Sequence, residues 1–378
     1  MVAALFSLPF AWVGVSMTVR RARDAGLPAL LGLMFFVPFV NYLLMLGLCA
    51  VPTRAAPPAK RTLAGEDRLV WSAMIGTVAG AGIGLAIVVM SVFAFGQYGG
   101  TLFIGTPFVM GAVAGFLLNL RAPRGVLANA SVGALTVVTS GGLLLLFALE
   151  GALCLAMAAP LAFVMSLLGV FLGRGLATLE ARAGLLASAA PLPFLFAIDP
   201  GASHLTVHEV TSTIDIAAPP EVVWANVIGF GDVELPPPPE WFFGLGIAYP
   251  IRARIEGEGV GAVRYCEFST GPFVEPITTW NAPHHLAFDV RSSPPTMHEW
   301  SPYERIHAPH LDGILQSRRG EFVLTPLPDG GTRLVGRTWY TFAMAPEAWW
   351  TLWSDASIHA IHGRVLEHIA KVSEATTG

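Results

Sequence analysis

The hydrophobic rhythm of the chain changes once. Up to about residue 200, apolar residues run together; beyond His204 they alternate with polar ones. The early runs cover 3–19, 27–51, about 70–95, 101–120, 125–148 and 152–172, with a shorter one at 183–198 that contains Pro191 and Pro193. Runs near 20 residues match the roughly 30 Å apolar slab of a bilayer, where helices are the open-ended solution. The later part opens with an alternating stretch from Leu205 to Ala217, with Val207, Val210, Ile214 and Ile216 as its apolar members. A helix then starts among the prolines of Ala218 to Ile228, and a short helical turn is expected at Glu240–Gly244 after Pro236–Pro239. Strand-like runs follow at 250–256, 260–269, 273–281 and 285–291, punctuated by Pro and Gly as in a meandering antiparallel sheet. After a loop over 292–314, two alternating runs between Gly320 and Phe342 turn at Asp329-Gly330-Gly331, a strong hairpin signal. The last element is an amphipathic helix from Pro346 to Lys371. Trp350, Ile358, Ile361, Val365, Ile369 and Val372 share one arc of it, and Arg364, Glu367 and Lys371 fall outside that arc.

This order predicts two kinds of domain: an all-α polytopic membrane region, then an α+β helix-grip domain in which a curved antiparallel sheet wraps a long C-terminal helix. The expected divisions are 1–51 (one span plus a re-entrant or second span), 52–69 (a basic linker), 70–200 (a bundle of about five spans) and 201–378 (the helix-grip domain). Composition agrees with a lipid-embedded half. The chain is 54% hydrophobic and 13% charged, against about 25% charged in soluble domains. Its net charge of −4 gives no reason to invoke nucleic acid. Cys49, Cys154 and Cys266 are an odd number without metal-like spacing, so free buried thiols are expected. The N-terminus lacks a charged n-region and a small-x-small site, so no cleaved signal peptide is expected.

Basic residues orient the spans. Arg54, Lys60, Arg61 and Arg68, then Arg121 and Arg124, then Arg174 and Arg182 lie in alternate loops, while 96–100 and 149–151 hold no Lys or Arg. The linker is therefore expected in the cytoplasm. If 183–198 also crosses, the C-terminal domain lies outside it. The basic stretch 20–26 conflicts with a single crossing by 27–51; that run either dips in and returns, turning at Pro38 to Asn41, or crosses once with a kink. Gly76, Gly80 and Gly84, and again Gly111 and Gly115, lie four apart, an interval that lets helix backbones approach closely. Gly80-Ala-Gly82-Ile-Gly84 has no preceding strand and is not a dinucleotide loop. No span carries an interior Asp, Glu, Lys or Arg, which argues against a pump or coupled transporter. Asn119 and Asn129 fall near span ends and read as polar caps.

Two resemblances add to this reading. Arg20-Arg21-Ala22-Arg23-Asp24-Ala25-Gly26, followed by an apolar run broken at Pro38, is similar to a small bacterial inner-membrane family of unknown function. That family usually has Leu and His where this chain has Ala22 and Arg23. The resemblance implies a multi-pass protein of the bacterial inner membrane and no chemistry. In the second half, Ile214-Asp-Ile-Ala-Ala-Pro-Pro-Glu-Val-Val-Trp224, Gly259-Val-Gly-Ala-Val-Arg264, Gly271-Pro-Phe-Val-Glu275 with Trp280, and the final helix resemble the START-like superfamily. More narrowly they are similar to its polyketide cyclase/dehydrase and lipid-transport group (SRPBCC). That resemblance implies a deep apolar cavity between sheet and C-terminal helix, without a particular reaction.

The candidate chemistry is sparse. His307-Ala-Pro-His310 and His359-Ala-Ile-His362 have spacings that invite a metal, but catalytic zinc takes three protein ligands and structural zinc four; neither metal nor cofactor is expected. No Gly-x-Ser-x-Gly elbow is present, and Ser354 and Asp355 diverge on a helix. Catalytic candidates are His362, Tyr340 and His298, with Glu299 and Glu321 behind them. Against these, Glu321, Arg319 and Arg337 form an outward ladder on the hairpin by strand alternation. The aromatics weigh more. Trp224, Trp280, Trp300, Tyr340, Trp350 and Trp353, with Ile361 and His362, are the expected ligand-binding set, and 292–314 is long enough for a lid. The partners expected are therefore a lipid bilayer and a hydrophobic ligand, a lipid or isoprenoid quinone. An enzyme of the cyclase/dehydrase type on an apolar substrate and a non-catalytic membrane sensor are the alternatives.

Overall fold

The computed structural model describes residues 17–22, 24–28, 31, 40–51, 63–177, 206–228, 241–303, 306, 308–309 and 313–377. Residues 3–16 of the first run, the run 183–198, Pro38, and His307 and His310 lie outside these residues. The chain forms two compact units, Met1–Asp199 with Ser301–His307 and Pro200–Trp300 with Ala308–Gly378.

The helical unit contains α1 (Val40–Ala50), α2 (Leu63–Val89), α3 (Thr106–Asn119), α4 (Val126–Leu146) and α5 (Ala152–Leu176). π-helical turns at Met90–Ala94 and Thr101–Gly105 end α2 and lead into α3. The segments 68–94, 101–119, 126–146 and 152–176 are each long and apolar enough to cross a membrane. α2 begins inside the stretch read as linker, because Leu63-Ala-Gly-Glu-Asp-Arg68 continues the helical ladder without a breaker. α3 is the central helix: nearly all of its residues are buried, whereas few of those in α5 are.

Glycine sets these packings. A Cβ at Gly76 would lie 2.7 Å from the Ala114 carbonyl oxygen, and one at Gly80 2.7 Å from that of Met110. The α3–α5 crossing is reciprocal. Cβ atoms at Gly111 and Gly115 would overlap the backbone of Ser166 and Val170, and those at Gly169 and Gly173 would overlap Phe108 and Ala112. The opposite face of α5 leaves Val164, Leu168, Phe171 and Leu172 exposed, as a lipid-facing side requires. Asn119 and Asn129 are more than caps. Both are buried, and Asn119 Nδ2 donates to Asn129 Oδ1 at 2.7 Å, while the Arg124 N–H donates to Asn119 Oδ1 at 2.7 Å. Asn129 Nδ2 donates to the Arg124 and Gly125 carbonyls. The amide pair thus satisfies the α3–α4 turn where water is scarce.

The second unit runs β1 (Val207–Ile216), α6 (Pro220–Ile228), α7 (Trp241–Gly244), β2 (Pro250–Glu256), β3 (Val263–Phe268), β4 (Gly271–Asn281), β5 (His285–Asp289), β6 (Leu315–Pro326), β7 (Thr332–Phe342) and α8 (Glu347–Thr377). The seven strands form one antiparallel sheet in the order β1-β7-β6-β5-β4-β3-β2. It curls as a half-barrel around α8, which at 31 residues is about 46 Å long. This is the expected helix-grip plan. Strand β6 starts five residues before the alternation announces it, because Leu315-Gln-Ser-Arg-Arg319 is polar and carries a bulge between Ser317 and Arg319.

The core lies toward the C-terminal half of α8. Val365, Leu366, Ile369 and Ala370 pack with Ile216, Val223, Trp224, Ile277, Leu286, Leu324 and Leu334. Burying such aliphatic side chains is worth about 1.5–3 kcal/mol each. Ile358 and Ile361, one to two turns earlier on the predicted arc, are only half-buried. They face a void.

Candidate functional site

That void is a cavity of about 110 Å³ between the concave face of the sheet and α8. Strand alternation puts Arg264, Cys266 and Phe268 of β3 on one face, opposite Glu275 and Phe273 of β4 in the pairing register. These five residues, with Phe288, Phe322, Ile358, Ile361, His362, Val365 and Leu366, line the cavity. Two lining positions are glycines. At Gly320 the Phe288 ring fills the space a side chain would take, and Gly336 sits opposite Leu366. Small residues there let the sheet curve close to the helix.

One wall is charged. Arg264 and Glu275 are both buried and form an ion pair through Nη1 and Oε2. The Arg264 guanidinium also lies 4.8 Å from the Phe288 ring centre and 5.8 Å from that of Phe322, a desolvated cation–π stack. Burial works against the Arg264 charge, but Glu275 outweighs it and holds the guanidinium protonated. Burial pushes the Cys266 thiol up to about 12 despite the neighbouring Arg264, so it is neither a nucleophile nor a metal ligand at neutral pH.

His362 is the polar group that α8 brings to the cavity. Its Nε2 is 2.8 Å from Thr338 Oγ1 and its Nδ1 3.1 Å from Ser212 Oγ, which also lies 2.9 Å from His359 Nδ1. Burial, then the nearby His359, lowers its pKa to about 4. The imidazole is therefore neutral at physiological pH, and each ring nitrogen has a hydroxyl partner. The sign of the linked stability follows. An unfolded histidine takes its proton near pH 6.5, the folded one only near 4, so the unfolded state binds more protons between these values. Stability is full above about pH 6.5 and falls by about 3 kcal/mol as pH drops to 4. Replacing His362 with Gln is expected to flatten this decline in denaturant titrations followed by tryptophan fluorescence; an unchanged profile would place its source elsewhere.

Of the residues expected to bind ligand, Ile361 and His362 line the cavity. Trp224 and Trp280 do not: they meet edge-to-face at 5.7 Å within and against the core cluster. Tyr340 faces α8 but spends its hydroxyl on Asp355 Oδ1 at 2.6 Å, and burial and that carboxylate raise its pKa. It fastens β7 to the helix. Trp350 is buried at the start of α8, and Trp353 stacks edge-on against Trp349 with ring centres 6.2 Å apart. Trp300 is 56% exposed, and His298 is exposed in the same loop, its N–H donating to the Gly246 carbonyl. Glu321 accepts from Arg337 at 2.9 Å and Arg319 at 3.2 Å, with His285 at 3.1 Å. Alternation relative to Tyr340 puts this ladder on the face away from α8. The charged cavity residues missing from the candidate set of the sequence reading are Arg264 and Glu275. Their signal was parity: one charged residue on each of two strand faces otherwise made of Cys266, Phe268, Phe273 and Ile277.

Solved structures with a similar fold align to under half of this chain and nearly all of their own length. They include a protein from Nitrosospira multiformis (17% identity, 45% of this chain, 99% of that one, TM-score 0.28). Norcoclaurine synthase from Thalictrum flavum (9%, 46%, 99%, 0.31) and the Zhui aromatase/cyclase from a Streptomyces species (19%, 46%, 99%, 0.29) are others. Such identities and scores carry nothing about activity. No curated protein matches the chain. One family model matches at the other end: residues 1–59 resemble the family described as "Protein of unknown function (DUF805)", a region that ends well before the cavity-bearing unit.

Proposed function

We propose that the C-terminal unit binds a hydrophobic ligand, a lipid or an isoprenoid quinone, in the cavity between sheet and α8, and that the helical unit holds it at a bilayer. The supporting observation is the cavity itself, which Phe268, Phe273, Phe288, Phe322, Ile358, Ile361, Val365 and Leu366 line beside the buried Arg264–Glu275 pair. Few polar groups in an apolar concavity is the general character of small-molecule sites. Its 110 Å³ is below the roughly 300–1,000 Å³ that encloses a whole drug-sized molecule, so the ligand enters by one end. Tethering to helices that meet lipid raises the local concentration of such a ligand. On this reading the chain is a multi-pass protein of the bacterial inner membrane, divided at about residues 51, 69 and 200, with its C-terminal domain outside the cytoplasm.

A cyclase-type reaction has less support. Both nitrogens of His362 are engaged by hydroxyls, and a base with a pKa near 4 is poorly matched to neutral pH. The test is mass spectrometry of lipids extracted from the full chain purified in mild detergent, beside Ile361→Trp. About one lipid or quinone per chain is expected in the parent protein, with a loss of fivefold or more when the indole fills the cavity. Equal recovery from both proteins would remove the reading.

A further inference from the structure

Resting on that reading, we infer that Ser317 hydrogen-bonds the ligand, and that the group it meets is an uncharged oxygen on an otherwise apolar molecule. Ser317 lies near the start of β6 and lines the cavity. The bulge puts it there. Arg319 pairs with Trp339 and Ser317 with Tyr340, so Arg318 is the extra residue between two consecutive partners on β7. Strict alternation counted back from Arg319, which belongs to the outward ladder with Glu321, would turn Arg318 into the cavity and Ser317 out of it. The bulge reverses both. Arg318 is exposed and its Nε donates to Thr341 Oγ1 at 3.0 Å, while Ser317 shares the face of Tyr340, toward α8. Bulges beside sites commonly re-aim a side chain; this one exchanges a cation for a small hydroxyl.

The other polar side chains of the lining are already engaged. Arg264 meets Glu275 and Cys266. Thr338 meets His362, whose second nitrogen meets Ser212. Arg319 and Arg337 both donate to Glu321. Ser317 Oγ has no hydrogen-bond partner among the described residues, and it keeps accessible surface, unlike the buried unpartnered atoms elsewhere in the unit. A ligand atom can reach it. A hydroxyl both donates and accepts, so an alcohol or a carbonyl completes it. A carboxylate or phosphate would exchange its hydration for one neutral partner, which does not offset the desolvation of an ion. Leu366 meets Gly336, further along β7 than Tyr340, and belongs to the core. The ligand therefore lies with its oxygen at Ser317 and its apolar end toward Leu366.

The experiment titrates n-hexane, 1-hexanol and hexanoate, which share a carbon body and differ in their oxygen, into the full chain in mild detergent. Calorimetry follows binding, with uptake by empty micelles subtracted. Ser317→Ala is expected to weaken 1-hexanol about fivefold, the scale of one neutral hydrogen bond, and to change n-hexane by less than about twofold. Ser317→Cys, with its weak S–H donor, gives the same comparison should alanine disturb folding. An equal change for alcohol and alkane, or no change for either, overturns the inference and leaves the apolar-binding reading standing. Hexanoate bound more tightly than 1-hexanol by the parent protein, and weakened by the substitution, overturns the uncharged oxygen. Binding of none of the three to the parent protein removes both the inference and the reading beneath it.

Discussion

Replacing Glu275 with alanine is expected to destabilise the C-terminal unit by about 3–5 kcal/mol, the cost of stranding one member of a buried ion pair. Arg264 would keep its charge inside apolar walls, with Phe288 and Phe322 as its remaining neighbours. The ring faces offset only part of that loss, about 2 kcal/mol for a desolvated stack. Replacing both members, Arg264→Met with Glu275→Leu, is expected to recover most of the stability, since apolar groups of similar volume satisfy the site without a charge. Denaturant titration of the full chain, read by tryptophan fluorescence, measures both variants; most tryptophans lie beyond residue 205 and report this unit. A single variant no worse than the double would mean that the pair is solvated.

In the helical unit the largest effect is expected at Gly169. A side chain there has no room, because its first carbon would overlap the Phe108 carbonyl and the Ala112 amide. Helix association in lipid depends on such close backbone approach, so Gly169→Leu is expected to force α3 and α5 apart. The cost is about 1–3 kcal/mol or more, by analogy with overpacked cores. Thermal denaturation in mild detergent measures it, with Gly82→Ala as the control. Gly82 has nothing within 4 Å of a Cβ, so alanine there is neutral or stabilising by up to about 1 kcal/mol through helix propensity. If both variants lowered the melting temperature alike, close packing at Gly169 would not be the cause.

The sequence made the element order legible because each element's period is strong. The alternation of β1, the prolines opening α6 and the Asp329-Gly330-Gly331 turn all lie where the structure has them. The four long apolar helices were legible from length and apolarity alone, and Gly76, Gly80, Gly111 and Gly115 from their interval. Gly169 and Gly173 have the same interval, but only the crossing with α3 shows that they face it. The cavity residues were harder to read. Aromatic content drew attention to Trp224 and Trp280, yet large rings are as useful for filling a core as for lining a void. What separates the two uses is the depth at which α8 meets the sheet. Ile361 borders space while Val365, one turn later, belongs to the core as well. Helical periodicity is the same at both positions and cannot distinguish them. The Tyr340 contact was hidden for a related reason: its partner Asp355 lies on another element, and no local pattern reports that hydrogen bond.

The sheet order has a consequence for how the chain is made. Strand β1 is an edge whose sole pairing is with β7, from Val207 against Thr341 to Ile216 against Thr332. A ribosome adding about 5–20 residues per second leaves β1 without its neighbour for something like 6–25 seconds. Through that interval its backbone donors and acceptors are open to any other extended segment nearby. The polar and charged residues Glu209, Thr211, Thr213 and Asp215 on one of its faces are what keep a waiting strand from joining the wrong partner.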